Sequence, residues 1–147
     1  MAEKLGPVLV QLPQSLMFDP KVADAFLAAV RDRWNGPVAL EPRHASWFGA
    51  LADVLISAHR IARVGADPAR TAAAAMPGGY PGLAYWRLHG APRVYYSAYG
   101  SHQLAALAVA MGKDRDRETW CIFDNTASGA AAANALTLAT KLGILQG

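Results

Sequence analysis

The sequence predicts an α/β protein in which about five parallel strands are joined by helical crossovers, and two observations carry that expectation. Apolar runs of strand length alternate with segments of helical period along the whole chain, and each run is apolar enough to be covered on both faces. In addition, 53% of the 147 residues are hydrophobic and 17% are charged, which suits a single domain with a sizeable core. This alternation fits an open doubly wound sheet as well as a barrel.

The first strand is expected at "PVLVQL", residues 7–12. "DPKVADAFLAAVRDRW" then reads as an amphipathic helix: Asp19 caps it, Pro20 suits its first turn, and Val22, Phe26, Val30 and Trp34 recur every four residues. Asn35-Gly36-Pro37 ends that helix, and "VALEPR" supplies the second strand. Ser46 opens the next helix, with Trp47, Leu51, Val54, Leu55 and Ala58 on one face. "RIARVGAD" (60–67) is the third strand; an alanine-rich segment and the loop "PGGYPG" separate it from the fourth, "LAYWRLHG" (83–90). Ser101 introduces a helix carrying Leu104, Leu107, Ala108 and Met111, "TWCIFDN" is the fifth strand, and an alanine-rich helix runs from about Ser128 to Gly143.

Several function classes are disfavoured. The N-terminal apolar segment is short and broken by Pro7, Gln11 and Pro13, unlike a signal peptide or a membrane span. Cys121, in "TWCIF", reads as a small core residue, and a single cysteine suits a reducing cytoplasm. The net charge of +3 comes from scattered arginines, and the densest stretch, "KDRDRE" (113–118), mixes both signs as a solvated helix end does. Nucleic acid is therefore a poor expectation as partner. Glycine-rich phosphate loops and the G-x-S-x-G elbow are absent, so no cofactor is expected. Glu41, His44, His89 and Asp124 offer metal-ligand types, but no spacing such as H-E-x-x-H or paired C-x-x-C demands a metal, and none is expected.

Strand alternation puts Glu41 and Arg43 on one face, Gln11 with Leu9, Arg63 with Asp67, and Arg87 with His89, each near the carboxyl end of its strand. In parallel α/β architectures that end binds ligands. Glu41 is then a candidate general acid or base with its pKa tuned upward by a partly dry pocket, and His89 a proton shuttle. Arg43, Arg63 and Arg87 are candidates to hold an anionic group. The competing reading of each pair is an ion pair that closes the top of the sheet. Tyr95, Tyr96 and Tyr99 in "RVYYSAYGSHQL" suit aromatic loop packing, and Tyr99 also suits the mouth of a pocket. His59 and His102 fall at helix ends, facing solvent.

"LGPVLVQLP", "LEPRHASWF", "YWRLHG", "YSAYG" and "FDNTASGAAAANAL" together resemble the YecE-like family, also called domain-of-unknown-function family 72, from Leu5 to about Leu138. The resemblance implies a TIM-type barrel of which residues 1–147 form one domain equivalent to strands four to eight. It places Gln11, Glu41, Arg43, His44, His89, Gly90, Asp124, Asn125 and Asn134 in the family's characteristic motifs. Asp124-Asn125 stands where the family commonly carries two asparagine-like residues, and Pro42 replaces a more usual aromatic.

Two functional expectations follow. One is an acid/base enzyme acting on a small anionic or phosphorylated substrate, hydrolase-like or nuclease-like. Glu41, His89 and Asp124 would do the chemistry, with Gln11, Arg43, His44, Arg87, Tyr99 and Asn125 around the substrate. The other is a non-catalytic binding or interaction module. Because a TIM barrel typically takes about 250 residues, five strand units leave sheet edges and the apolar faces around Leu9 and Ile122 or Phe123 open. A homodimer is the expected remedy, with the helix at 129–145 as the cover in a monomer.

Overall fold

The computed structural model describes residues 5–113 and 116–145. Strand β1 (Val8–Gln11) leads into helix α1 (Pro20–Arg33), β2 (Val38–Glu41), a 3-10 turn (Ala45–Phe48), α2 (Ala50–Ala58), β3 (Ala62–Arg63) and β4 (Gly65–Asp67). A second 3-10 turn (Ala72–Ala75), β5 (Gly78–Gly79), β6 (Leu83–Leu88), α3 (Ser101–Gly112), β7 (Glu118–Phe123) and α4 (Ala130–Lys141) complete the chain. The fold is α/β with parallel sheets: β1–β2–β3 and β4–β6–β7 are each parallel, and β5 adds an antiparallel edge to β3. The third expected strand is split at Val64, whose N–H continues the ladder by donating to the Leu40 carbonyl. No sheet closes on itself among the described residues; β1 and β7 are not paired.

Side-chain alternation separates two apolar layers. The inward face holds Ala39, Val64 and Tyr85 with half-buried Leu9 and Ile122. On the outward face, Leu27, Leu40, Ile56 and Ile61 pack between the first sheet and α1 and α2, while Leu88, Leu104, Phe123 and Leu138 pack β6 and β7 against α3 and α4. Trp120, on the inward face, reaches toward the start of β1, where a Cβ on Gly6 would meet its ring at 2.6 Å. The sheet therefore curls, and glycine at position 6 makes room for the curl.

Asp19 caps α1 by accepting from the Lys21 and Val22 amides at 2.9 and 3.0 Å, and Pro20 is its first residue. The face expected of α1 is rotated, however: Ala23 and Leu27 are buried, while Val22 is 64% exposed. A strict every-four repeat winds away from any fixed face by about 40° per step, so the row from Val22 to Trp34 reaches the core only at its far end. In α2 the expected face is kept only in part: Trp47 is buried and Leu55 packs on the core, but Ala52 and Ile56 are the buried helix residues and Val54 is 67% exposed. Extended Gly49 separates the 3-10 turn holding Trp47 from α2, which resets the helical phase.

Of the two residues considered for the open inward side of β7, Ile122 faces inward and Phe123 faces α3 and α4. Two further expectations are corrected. Helix α4 packs on that same outer layer and leaves the inward face uncovered. His59 is not simply solvent-facing: its Nε2 lies 2.7 Å from Asp24 Oδ1 of α1. His102 is exposed as expected, and Lys113, Asp116 and Glu118 are exposed at the end of α3 and the start of β7. Residues 114 and 115 of the mixed-charge stretch lie outside the described residues. Cys121 is half-buried against the outer layer, and burial pushes its thiol pKa up to about 12. Among the described residues, no helix is long and apolar enough to cross a membrane.

Candidate functional site

Parallel pairing sets Gln11 beside Glu41 in register, and both point inward at the carboxyl ends of β1 and β2. From β6, Arg87 points to the same side and places its Nη1 2.7 Å from Gln11 Oε1 and 2.5 Å from Glu41 Oε2. Its Nε lies 2.6 Å from Asp124 Oδ2, just past the end of β7. His89, two residues beyond Arg87, puts Nε2 3.2 Å from Glu41 Oε1 and Nδ1 3.3 Å from Asp124 Oδ2. The latter pair is close enough for electrostatic attraction but out of line for a hydrogen bond, since both atoms lack an aligned partner. Arg43 closes the cluster through Nη2, 3.1 Å from Glu41 Oε1. One buried carboxylate of β2 thus faces three cationic or proton-bearing side chains: Arg87 on β6, His89 just past its end, and Arg43 in the loop after β2.

Glu41 is only 2% exposed, and burial by itself raises a carboxyl pKa. Hydrogen bonds from His89 and Arg87 and the field of Arg43 outweigh that effect and hold the Glu41 pKa below its usual range. The expectation of an upward-tuned Glu41 is therefore overturned: it is an ionised anchor. Burial opposes the charge on Arg87, yet Glu41 and Asp124 raise its pKa overall. Arg87 is a clamp between Gln11, Glu41 and Asp124 rather than a free anion contact. Its guanidinium occupies the place between the carboxylates that a metal ion would need, and among the described residues no three His, Cys, Asp or Glu side chains form a metal-binding group.

Arg43 differs from Arg87. Its Nε is buried without a hydrogen-bond partner while its side chain stays 23% exposed, so it has donor capacity to spare. Arg43, Glu41 and His89 border a small cavity of about 30 Å3 together with Pro68 and exposed Arg70. Neither Pro68 nor Arg70 carries a signal in the sequence, because the loop after β4 brings them there.

The remaining expected residues lie elsewhere. Arg63 faces outward, not toward the site: Nε is 3.0 Å from Asp53 Oδ1 of α2, Nη1 donates to the Ala73 carbonyl, and the guanidinium stacks over Phe48. Asp67 shares that outward side but meets Tyr99 instead. His44 caps the 3-10 turn, its Nδ1 accepting from the Ser46 amide, and does not join the cluster. Tyr99 donates from its hydroxyl to Asp67 Oδ2 at 2.6 Å and accepts from the Gly90 amide at 2.9 Å; burial and Asp67 raise its pKa. Asn125, fully buried, donates to Ser97 O and Asn134 Oδ1, and Asn134 bonds both the amide and the carbonyl of Tyr99. These residues fasten the loop 90–99. That loop sets Tyr95, in a left-handed conformation with φ 69°, edge-on to the His89 ring at 6.0 Å.

The sequence profile described as "Protein of unknown function DUF72" matches residues 1–147. A DUF72 family protein from Enterococcus faecalis V583 superposes with a TM-score of 0.80 at 23% identity, covering 99% of this chain and 62% of that one. A second structure of a DUF72 family protein from that organism gives 0.79 at 26% identity, covering 99% and 63%. A DUF72 family protein from Thermotoga maritima MSB8 gives 0.79 at 26% identity, covering 96% of this chain and 59% of that one. The chain thus spans about three fifths of the length of these structures, and no curated protein matches it. With the family profile matched from end to end and the same fold in these structures, the chain belongs to the DUF72 family.

Proposed function

We propose that the carboxyl-end cluster is an acid/base site for a small anionic substrate, of which a phosphate ester is the leading candidate. His89 carries the proton, Glu41 and Asp124 orient it from its two ring nitrogens, Arg87 with Gln11 holds the carboxylates in place, and Arg43 receives the anion. The observation that supports this most is the spare Nε of Arg43 beside the His89 cavity, at the strand end where α/β proteins bind ligands. A thermal-shift titration with inorganic phosphate and an aryl phosphate is the test. Both ligands are expected to raise the wild-type midpoint, and Arg43→Ala is expected to abolish the rise; no rise with either anion would refute the anion site.

The ionised lock on Glu41 supports a second reading, a non-catalytic binding module. The two separate on turnover: release of the aryl alcohol by wild type but not by His89→Gln supports chemistry, whereas a thermal shift without release supports binding alone.

We further propose that the strands are the carboxyl-terminal part of a (β/α) barrel, strands four to eight, and that the chain completes itself as a homodimer. Sequential parallel order and an inward layer of Leu9, Ala39, Val64, Tyr85 and Ile122 support the first point. Unpaired edges at β1 and β7 and the apolar surface of Met17, Val22 and Phe26 support the second. Sedimentation at micromolar concentration is expected to give a dimer; a compact monomer would exclude it.

A further inference from the structure

On the opposite side of the second sheet, the connection from β4 to β6 contains no α-helix. Residues 68–82 form a 3-10 turn and send β5 to the other sheet, and on the outer side Leu88 of β6 packs with Leu104 and Leu107 of α3. A cleft of about 320 Å3 is left there, bordered by Asp67, Trp86, Leu88, Tyr99, Leu107 and Ala110. Its walls are mainly apolar, and two of the residues that border it, Trp86 and Asp67, carry unmet hydrogen-bond capacity. Trp86 is 4% exposed, and its buried indole N–H has no acceptor. An indole N–H in such a position ordinarily finds one. Asp67 has one side-chain hydrogen-bond partner among the described residues, the Tyr99 hydroxyl at Oδ2, although a carboxylate accepts several bonds. Gly65 lies opposite Trp86 and Asp67 opposite Leu88, so Asp67 and Trp86 are diagonal neighbours on adjoining strands.

We propose that this cleft binds a small, mainly apolar molecule through a hydroxyl group. A hydroxyl accepts from the Trp86 N–H with its lone pairs and donates its proton to the Asp67 carboxylate. An anionic ligand would meet Asp67 charge to charge, and an ammonium would offer the indole no acceptor. The rest of the ligand lies against Leu88, Leu107 and Ala110, where its burial supplies the affinity. The site is separate from the carboxyl-end cluster, which faces the opposite side of the sheet, and does not depend on any activity there.

The test compares phenol with toluene, which has the same ring and no hydroxyl, by titration of the full chain followed by tryptophan fluorescence and the indole N–H resonances. Phenol is expected to bind saturably, at least about tenfold more tightly than toluene, and to move one indole N–H signal downfield. That signal is expected to vanish in Trp86→Phe, in which phenol falls to the level of toluene. Ala110→Met, which fills the cleft from α3, is expected to block phenol at an unchanged melting temperature. Equal binding of phenol and toluene would overturn the hydroxyl recognition. No saturable binding of phenol would mean that the cleft holds water only, and would overturn the site.

Discussion

Glu41→Gln is expected to lower the unfolding free energy at pH 7 by about 3 kcal/mol, as measured by urea denaturation. The side chain is buried and accepts from Arg87 and His89 while pairing with Arg43. Glutamine keeps the shape but loses the charge, leaving three donors around an amide. Removing one partner of a buried ion pair is costly because the remaining charge stays desolvated; partial exposure of Arg43 and Arg87 keeps the figure at the lower end. A loss below about 1 kcal/mol, the scale of a surface pair, would show that the cluster is solvated and not a lock.

The same substitution changes the pH response. Folding depresses the Glu41 pKa, so its contribution is full above the unfolded value of about 4.3 and is lost as pH falls through the lower folded value. Below about pH 4, wild type is therefore expected to lose stability more steeply than Glu41→Gln. Parallel acid transitions for the two proteins would contradict the direction assigned to this group.

Asn134→Ala is expected to cost about 3 kcal/mol and to release the loop 90–99. The buried side chain accepts from the Tyr99 amide at 2.9 Å and from Asn125 Nδ2 at 2.8 Å, and donates to the Tyr99 carbonyl at 3.0 Å. Alanine leaves the Tyr99 amide and carbonyl unpaired, each at a cost of about 1–3 kcal/mol unless water reaches it, while Asn125 Nδ2 keeps its bond to the Ser97 carbonyl. Hydrogen exchange at the Tyr99 amide reads the effect directly: protection is expected to fall well beyond the global loss in stability. Because Tyr95 in this loop packs edge-on to His89, the His89 ring resonances are expected to broaden as well. Unchanged Tyr99 protection would show that Asn134 does not hold the loop.

The α/β class, the start of α1 at Asp19 and Pro20, and the convergence of Gln11, Glu41, Arg87 and His89 at one end of the sheet were all legible in the chain. Each rests on local periodicity or on capping chemistry, which a short window of sequence contains. Arg63 shows the limit. Alternation pairs it correctly with Asp67 on one side, but whether that side is the pocket or the helices depends on the neighbouring strand, where Leu40 opposite Arg63 lies in the helix-facing layer. His44 likewise has the right chemistry and lies near Glu41, yet its side chain is spent on Ser46 because the chain leaves the strand after Glu41.

By itself the sequence determined which residue types would meet at the strand ends, since the two-residue period and the parallel crossovers leave little freedom. Only the tertiary structure decided their states. Glu41 stays ionised although buried, because Arg87, His89 and Arg43 together outweigh its desolvation, and Arg87 becomes a clamp because Gln11, Glu41 and Asp124 surround it. Charge states and unmet hydrogen-bond capacity depend on distances between residues far apart in the chain, such as the 46 positions between Glu41 and Arg87, and these are set by packing rather than by any local pattern.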